Sequence, residues 1–521
     1  MNTTDFITIA SSIAPDRPAV IFEGKKLSFG QLNERSNRMA HALSNLGVKK
    51  GDMVAMLQVN CPQYLETYYA VAKLGAIFCP LNFRAKADEL TYMLNYCEAK
   101  VLLVGERYLE MVNGMRSNIP KVQHFISIDK KAEGMLYYED LLAKSSAEDV
   151  FNEIGDEDVT ILMFTAGTTG RPKGVPLTHS SFVSYMLTNV TPVDPEIEEV
   201  NLLTVPLYHV AGIQAMLAAT YGGRTLAMMR QFEVKDWMKT VQETKANRAM
   251  LVPTMLKRVI DEPDFNKYDL SSLKVITYGA APMPFEVIKK AIDVFPNVMF
   301  INAFGQTETA STITALGPED HVITGTEAEK AKKLKRLQSS IGKAMQDVEV
   351  KIVDESGKEV PRGEVGEIVA RGPRVMSGYW KDPEKTAKAI RDGWLHTGDM
   401  GYMDDEGYIY LAGRGDDMII RGGENISPEE VENVLYSHPK VEEAAVIGIP
   451  DPEWGQQPKA VVVLKKGEKA TPEELIEYCR QKLSSFKRPR YVAFVDELPR
   501  TSTGKVLKRV LREQHGKADN N

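Results

Sequence analysis

The sequence predicts an α/β fold for the large N-terminal part of the chain and a small α+β domain after it. Three observations carry this. The chain has 521 residues, more than one hydrophobic core usually supports, so at least two domains are expected. Short apolar runs rich in β-branched residues alternate with helical patterns as far as Arg414, the rhythm of a largely covered sheet. Beyond Arg414 the texture changes to a compact mixture of strands and helices, of ordinary domain size.

The elements follow in order. Val159 to Phe164 reads as a buried strand that runs into a Gly/Thr loop. Leu273 to Tyr278 reads as another, stopped by Gly279. Phe285 to Phe295 reads as a helix, because Phe285, Ile288, Ile292 and Phe295 recur on one face. Gly413-Arg414-Gly415-Asp416-Asp417 is polar and contains glycine, which suits a hinge with Asp416 as its pivot. The domains are therefore set at 1–414 and 415–521. In the second, Met418 to Ile420 is a strand and Gly422-Gly423 a turn. Ser427-Pro428-Glu429-Glu430 reads as a capping box with Pro at the first helical position, and Thr471-Pro472-Glu473-Glu474 repeats the device. Val441 to Ile449 and Tyr491 to Val495 are strands. A last amphipathic helix after Lys505 turns Val506, Leu507 and Val510 inward and leaves Lys508 and Arg509 to solvent.

Composition narrows the function. Apolar residues make up 43% and charged residues 26%, an ordinary globular mix. The net charge of −7 argues against a general nucleic-acid binder, which needs an excess of Lys and Arg. Cys61, Cys79, Cys97 and Cys479 form no CxxC pair, so a zinc site or a disulfide framework is not expected, and buried thiols in a reducing cytoplasm are. The N-terminus lacks the basic region and apolar core of a signal peptide, and no apolar run has membrane-spanning length.

The strongest local motif is Thr165-Ala-Gly-Thr-Thr-Gly-Arg-Pro-Lys-Gly174 after a strand. Its glycines let the backbone approach an anion, its N–H groups and threonine hydroxyls donate, and Arg171 and Lys173 add charge. No Gly-Lys-Ser/Thr closes it, so it is not a Walker A loop. Further motifs follow along the chain: Pro206-Leu-Tyr-His209-Val-Ala-Gly212, Tyr278-Gly-Ala-Ala281 and Asn302-Ala-Phe-Gly-Gln-Thr-Glu-Thr309. Then come Gly393-Trp-Leu-His-Thr-Gly-Asp399, Gly407-Tyr-Ile-Tyr-Leu-Ala-Gly-Arg414, Gly422-Gly-Glu-Asn-Ile-Ser-Pro428 and Arg500-Thr-Ser-Thr-Gly-Lys505.

In this order and spacing the motifs resemble those of the adenylate-forming superfamily, in its acyl-CoA synthetase branch. The resemblance covers most of the chain. It implies flanked sheets and a β-rich subdomain in the large domain, and a mobile small domain. It also implies an ATP-dependent acid–CoA ligase: a carboxylic acid is joined to AMP, pyrophosphate leaves, and the acyl group passes to coenzyme A.

Each implied role has a physical reason. Thr165, Gly167, Thr168, Thr169, Gly170 and Lys173 would hold the ATP phosphates. Gly279, Ala280, Ala281, Asn302 and Gly305 would let backbone approach the adenine. Asp399, with Arg414, would hold the ribose, because a carboxylate can accept both ribose hydroxyls. Glu308 would hold Mg2+, with Thr165 beside it, since a hard cation on phosphates needs one or two protein oxygens. Thr307 would reach the α-phosphate. Lys505 would sit between the carboxylate and the α-phosphate, two anions that must meet. His209 would line the acyl site and gate the carboxylate. Gly422, Gly423 and Trp454, with Glu424 and Asn425, would border the pantetheine tunnel once the small domain has rotated. Arg488, in Phe486-Lys487-Arg488, would meet a CoA phosphate, with Arg84 as a second candidate.

The implied acyl pocket comprises His209 to Gly212, Gln214, Met216, Tyr278 to Ala280, Phe304, Gly305 and Thr309 to Ser311. It is apolar and neutral, which favours a medium- or long-chain fatty acid, with Met216 and Phe304 packing on methylenes. An aromatic or alicyclic acid is the alternative, as is transfer of the acyl group to a carrier protein. Glu233, where amino-acid-activating relatives carry an acid, decides little. The partners are thus an acid, ATP and CoA, with no nucleic acid and no transmembrane segment, and with room for a homodimer.

Overall fold

A computed structural model describes residues 1–165, 171–415, 417–421, 424–501 and 504–519; at Arg414, Glu424 and Asn425 it describes the backbone alone. Three sheets form among these residues.

The first sheet contains Met53–Leu57, Ile77–Pro80 and Val101–Val104, buried along their whole lengths. Both faces are covered, which is why these strands read as unbroken apolar runs. Side chains alternate between two cores: Val54 and Met56 enter one, and Met53, Ala55 and Leu57 the other. Val159–Thr165 joins this sheet beside Ile77–Pro80 and turns back as Lys173–Thr178, antiparallel to itself. Thr165 and Lys173, both in the phosphate-loop motif, face each other across that pair of strands.

The second sheet has a parallel half, in which Val275–Gly279 lies between Arg248–Leu251 and Met299–Gln306. Beyond Met299–Gln306 the sheet becomes antiparallel and builds the β-rich part, ending with Ile409–Arg414, Trp394–Met403, Gly366–Arg371 and Glu349–Val353. Glu308 lies just past the strand where pairing changes sense. The Phe285–Val294 helix buries Val287, Ile288 and Ala291.

The third sheet belongs to the small domain. Val441–Asp451 and Gly455–Leu464 form a long hairpin, with Ile419–Arg421 and Tyr491–Phe494 against its second strand. Helices Pro428–Tyr436 and Pro472–Arg480 bury Val431, Leu435, Leu475 and Cys479 on it.

Three local readings change. Ser427 makes no side-chain cap; its hydroxyl bonds Glu429 Oε2 at 3.0 Å instead, whereas Thr471 does accept from the Glu474 N–H. The last helix starts only at Lys508 and buries Leu511, because Val506 precedes it and pairs with Arg500 in a β-bridge. Lys508 is not a solvent lysine: its ammonium lies 2.7 Å from Glu432 Oε1, with its side chain only 11% exposed. All four cysteines are buried free thiols. Among the described residues no helix is long and apolar enough to cross a membrane.

Candidate active site

Glu308 sits in the short 3-10 turn Thr307–Thr309, after the strand Met299–Gln306. Backbone crowding shapes this turn. A Cβ on Gly305 would lie 1.6 Å from the Ser311 carbonyl oxygen, and one on Gly279 would lie 2.1 Å from that of Ala303. Only glycine fits either place. Ala280, Ala310 and Ser311 hold the left-handed backbone normally left to glycine, with φ of 66°, 46° and 87°.

A strap from the β-rich part closes over the turn. The Tyr379 hydroxyl donates to Glu308 Oε1 at 2.9 Å, and the Met376 N–H donates to the Glu308 carbonyl at 2.8 Å. The Lys173 ammonium lies 4.9 Å from the Tyr379 ring centroid, and the Trp380 N–H donates to the Gly174 carbonyl at 2.8 Å. Lys173 faces Thr165 across the hairpin. Thr165, Lys173, Tyr379 and Glu308 are therefore one cluster. Gly167, Thr168, Thr169 and Gly170 lie outside the described residues. Sequence reasoning missed Tyr379; the Gly378-Tyr379-Trp380 run was its one visible trace.

Asp399 pairs in register with Arg414 on adjacent antiparallel strands. Asp399 is buried, and its N–H donates to Thr397 Oγ1 at 3.1 Å. The Thr397 carbonyl accepts from Gln306 Nε2 at 3.3 Å, which ties this strand to the Glu308 turn. Asn302 bonds the Ser340 carbonyl at 3.3 Å and so helps hold the strand edge.

His209 stands at the N-cap position of the Val210–Tyr221 helix without a side-chain capping bond, its ring 4.2 Å from that of Tyr208. Burial, then the charges of Lys505 and Arg84, push its pKa down to about 3. The imidazole is neutral at physiological pH, and its Nε2 has no hydrogen-bond partner among the described residues. The charge of Lys505, carried by the small domain, acts on this imidazole. Its turn is held by bonds from the Lys505 N–H to Thr501 Oγ1 at 3.1 Å and from the Thr501 N–H to the Lys505 carbonyl at 2.7 Å. Gly504 in that turn has φ +83°, and a Cβ on it would lie 3.3 Å from Thr254 Oγ1 of the large domain.

Of the residues read as a CoA site, Trp454 and Arg488 lie on the small domain, whereas Arg84 lies on the large domain, where its charge acts on His209. Trp454 is 41% exposed beyond the end of Val441–Asp451, with the Arg421 guanidinium 5.3 Å from its ring. Arg421 in turn donates to the Phe486 carbonyl at 3.0 Å. Lys487 is paired with Glu430 at 2.7 Å, and Arg488 Nε is buried with no partner among the described residues. Gly422 and Gly423 lie outside the described residues.

Several pocket residues serve other purposes. Tyr278 points into the core, where its hydroxyl bonds His321 Nε2 at 2.9 Å. It alternates with Thr277 along the strand, so its neighbours, not its own ring, can face the site. Met216 is fully buried in the large core. Phe304 packs toward the β-rich part, on clusters that include Ile341 and Ile313. Thr309 bonds the carbonyls of Gln306 and Ser311 within its own turn. Glu233 caps the helix Val234–Thr244 through the Lys235 and Asp236 N–H groups.

Residues 10–380 match the family model of AMP-binding enzymes, and residues 430–505 match that of the AMP-binding enzyme C-terminal domain. The chain belongs to the AMP-forming acyl-CoA synthetases. This ligase joins an acid to a thiol and uses ATP. It is 37% identical over 507 residues to the feruloyl-CoA synthase of an Amycolatopsis species, covering 97% of each chain. It is 34% identical to a long-chain-fatty-acid–CoA ligase of Mycobacterium tuberculosis, over 94% of this chain and 93% of the other. The solved anthranilate CoA ligase AuaEII, in complex with anthranoyl-AMP, superposes with a TM-score of 0.89 at 28% identity, over 99% of this chain and 97% of that one.

Proposed function

We propose that the ligase activates an acid with an apolar body and no charge beyond its carboxylate, a medium- or long-chain fatty acid, and works through two orientations of its small domain. The observation that carries the mechanism is that the Lys505 turn lies against the large domain, with Gly504 close to Thr254, and that the Lys505 charge acts on the buried His209 imidazole. A carboxylate oxygen attacks the α-phosphorus of ATP, and the bond to pyrophosphate breaks. Lys505 offsets the repulsion of the two anions as they meet. A neutral His209 adds no charge that would trap the carboxylate. Asp399 would hold the ribose, with Arg414, whose side chain lies outside the described residues, as its expected partner, and Thr307 would meet the α-phosphate.

Glu308 suits Mg2+. Tyr379 occupies Oε1, no bond to Oε2 is seen among the described residues, and Glu308 is only 9% exposed. A Mg2+ ion on the phosphates needs only one or two protein oxygens. When bound there, Mg2+ would neutralise phosphate charge.

In the second step the CoA sulfur attacks the acyl carbon and AMP leaves. Glu443, beside the Lys505 turn, and Trp454 mark opposite ends of the strand Val441–Asp451. At about 3.3 Å per residue they stand roughly 30 Å apart. Lys505 and Trp454 therefore suit successive presentations to one site; Asp416, the pivot expected from the sequence, lies outside the described residues.

The small residues Ala211, Gly212, Ala280 and Ala310 support an apolar substrate, since an unpaired charge buried there would be costly. An aryl acid is the second reading. It gains from the feruloyl and anthranilate relatives, and from Met216 and Phe304 being engaged elsewhere. A pyrophosphate-release screen over fatty, alicyclic and aromatic acids tests the choice.

A further inference from the structure

The strand Val441–Asp451 carries one extra residue near its start. Val441 pairs with Leu464 and Glu443 with Val463, so Glu442 has no opposite number on the neighbouring strand. A bulge of this kind re-aims side chains that would otherwise alternate strictly between faces. Here it gives two consecutive carboxylates two different partners.

Glu442 crosses the domain boundary. Its Oε1 lies 2.5 Å from Lys257 Nζ, on the Pro253–Ile260 helix of the large domain. Lys257 is also 2.9 Å from Asp261 Oδ2, and Asp261 Oδ1 takes Lys290 at 2.5 Å. Glu443 stays within the small domain. Its Oε1 lies 2.6 Å from Arg500, whose other terminal nitrogen donates to the Gly504 carbonyl at 2.6 Å. Gly504 immediately precedes Lys505. It approaches Thr254, which lies three residues before Lys257 and so on the same helix face. The path from the large-domain helix to the Lys505 turn is thus continuous: Lys257, Glu442, Glu443, Arg500, Gly504.

We propose that Glu442 and Glu443 form a two-pronged clamp, in which Glu442 seats the small domain on Lys257 and Glu443 holds the Lys505 turn through Arg500, so that Lys505 is set against the acyl-adenylate site. Both are positioning residues for adenylation; neither touches substrate. The inference rests on the reading that Lys505 serves adenylation. A partly exposed ion pair adds little to fold stability. The clamp must therefore be read in the half-reactions, where Lys505 is needed for only one step.

The experiment compares acid-dependent pyrophosphate exchange with conversion of supplied acyl-AMP to acyl-CoA. Lys257→Glu and Glu442→Lys should each lower exchange about three- to tenfold and leave thiolysis within about twofold. The charge-swapped double variant should recover at least about half of the lost exchange. Glu442→Gln, of nearly the same volume, should fall in the same direction with an unchanged melting temperature. Failure of the double variant to recover, or equal loss of both half-reactions, overturns the clamp. Lys505→Ala in parallel separates the two ideas. If it abolishes exchange while the clamp variants do not, the clamp alone is wrong; if it spares exchange, the role of Lys505 is wrong and the clamp falls with it.

Discussion

Tyr379 donates its phenolic proton to Glu308 Oε1 at 2.9 Å, across 71 residues of sequence. The bond fixes which carboxylate oxygen is left to a cation. Tyr379→Phe should therefore raise the Mg2+ concentration that half-saturates pyrophosphate exchange, about tenfold for the loss of one hydrogen bond to a charged group. Calorimetric titration of ATP binding with and without Mg2+ checks it independently of turnover. An unchanged Mg2+ dependence would show that the bond merely packs the strap.

Lys505 should matter for one half-reaction. Removing a preorganised donor from a site of developing charge costs on the order of 3 kcal/mol, roughly a hundredfold or more in rate. Lys505→Ala should lose most acid-dependent pyrophosphate exchange and still convert supplied acyl-AMP to acyl-CoA. Equal loss of both steps contradicts this role.

Trp454→Ala should do the reverse. Trp454 lies at the far end of the hairpin from the Lys505 turn, 41% exposed against Arg421. Its loss should raise KM for CoA about tenfold, as truncation of an aromatic contact does, and leave pyrophosphate exchange within about twofold. A fall in exchange with unaltered KM for CoA would remove Trp454 from the CoA site.

Acid should destabilise the fold through two core histidines. Burial pushes the imidazoles of His179 and His321 down to about 4. In the unfolded chain they titrate near ~6.5. Their stabilising contribution is full above that value and is lost as pH falls from it toward about 4, because the unfolded state binds the protons. Each imidazole costs up to about 1.4 kcal/mol per pH unit in that window. The melting temperature should fall between pH 7 and 5, and His179→Gln should flatten the slope. A flat profile in the unsubstituted ligase contradicts it.

Chain length should decide the substrate class. Each buried methylene adds about 0.8 kcal/mol, so kcat/KM should climb several-fold per carbon until the pocket is full. If benzoate-like acids outperform every fatty acid, or acetate outperforms hexanoate and octanoate, the aliphatic reading is wrong and the aryl reading replaces it.

Much of this was legible in the sequence because it is local. Apolar runs bounded by glycine marked Val159–Thr165 and Val275–Gly279 as strands to within a residue or two. Periodicity marked the Phe285–Val294 helix. Motif order identified the chemistry, since Asp399, Arg414, Glu308 and Lys505 are recognised by their immediate neighbours. Only the tertiary structure decided what depends on residues distant in the chain. Tyr278 was legible as a strand residue, but its partner His321 turns it into the core and out of the acyl pocket. Lys508 looked like a solvent lysine because nothing near it in sequence shows Glu432. Tyr379 and Lys257 carried no motif, yet one holds Glu308 and the other grips Glu442. Local patterns record what a residue needs of its own backbone. Which charge it meets is set by how strands and domains pack, and a one-residue bulge at Glu442 is enough to change the answer.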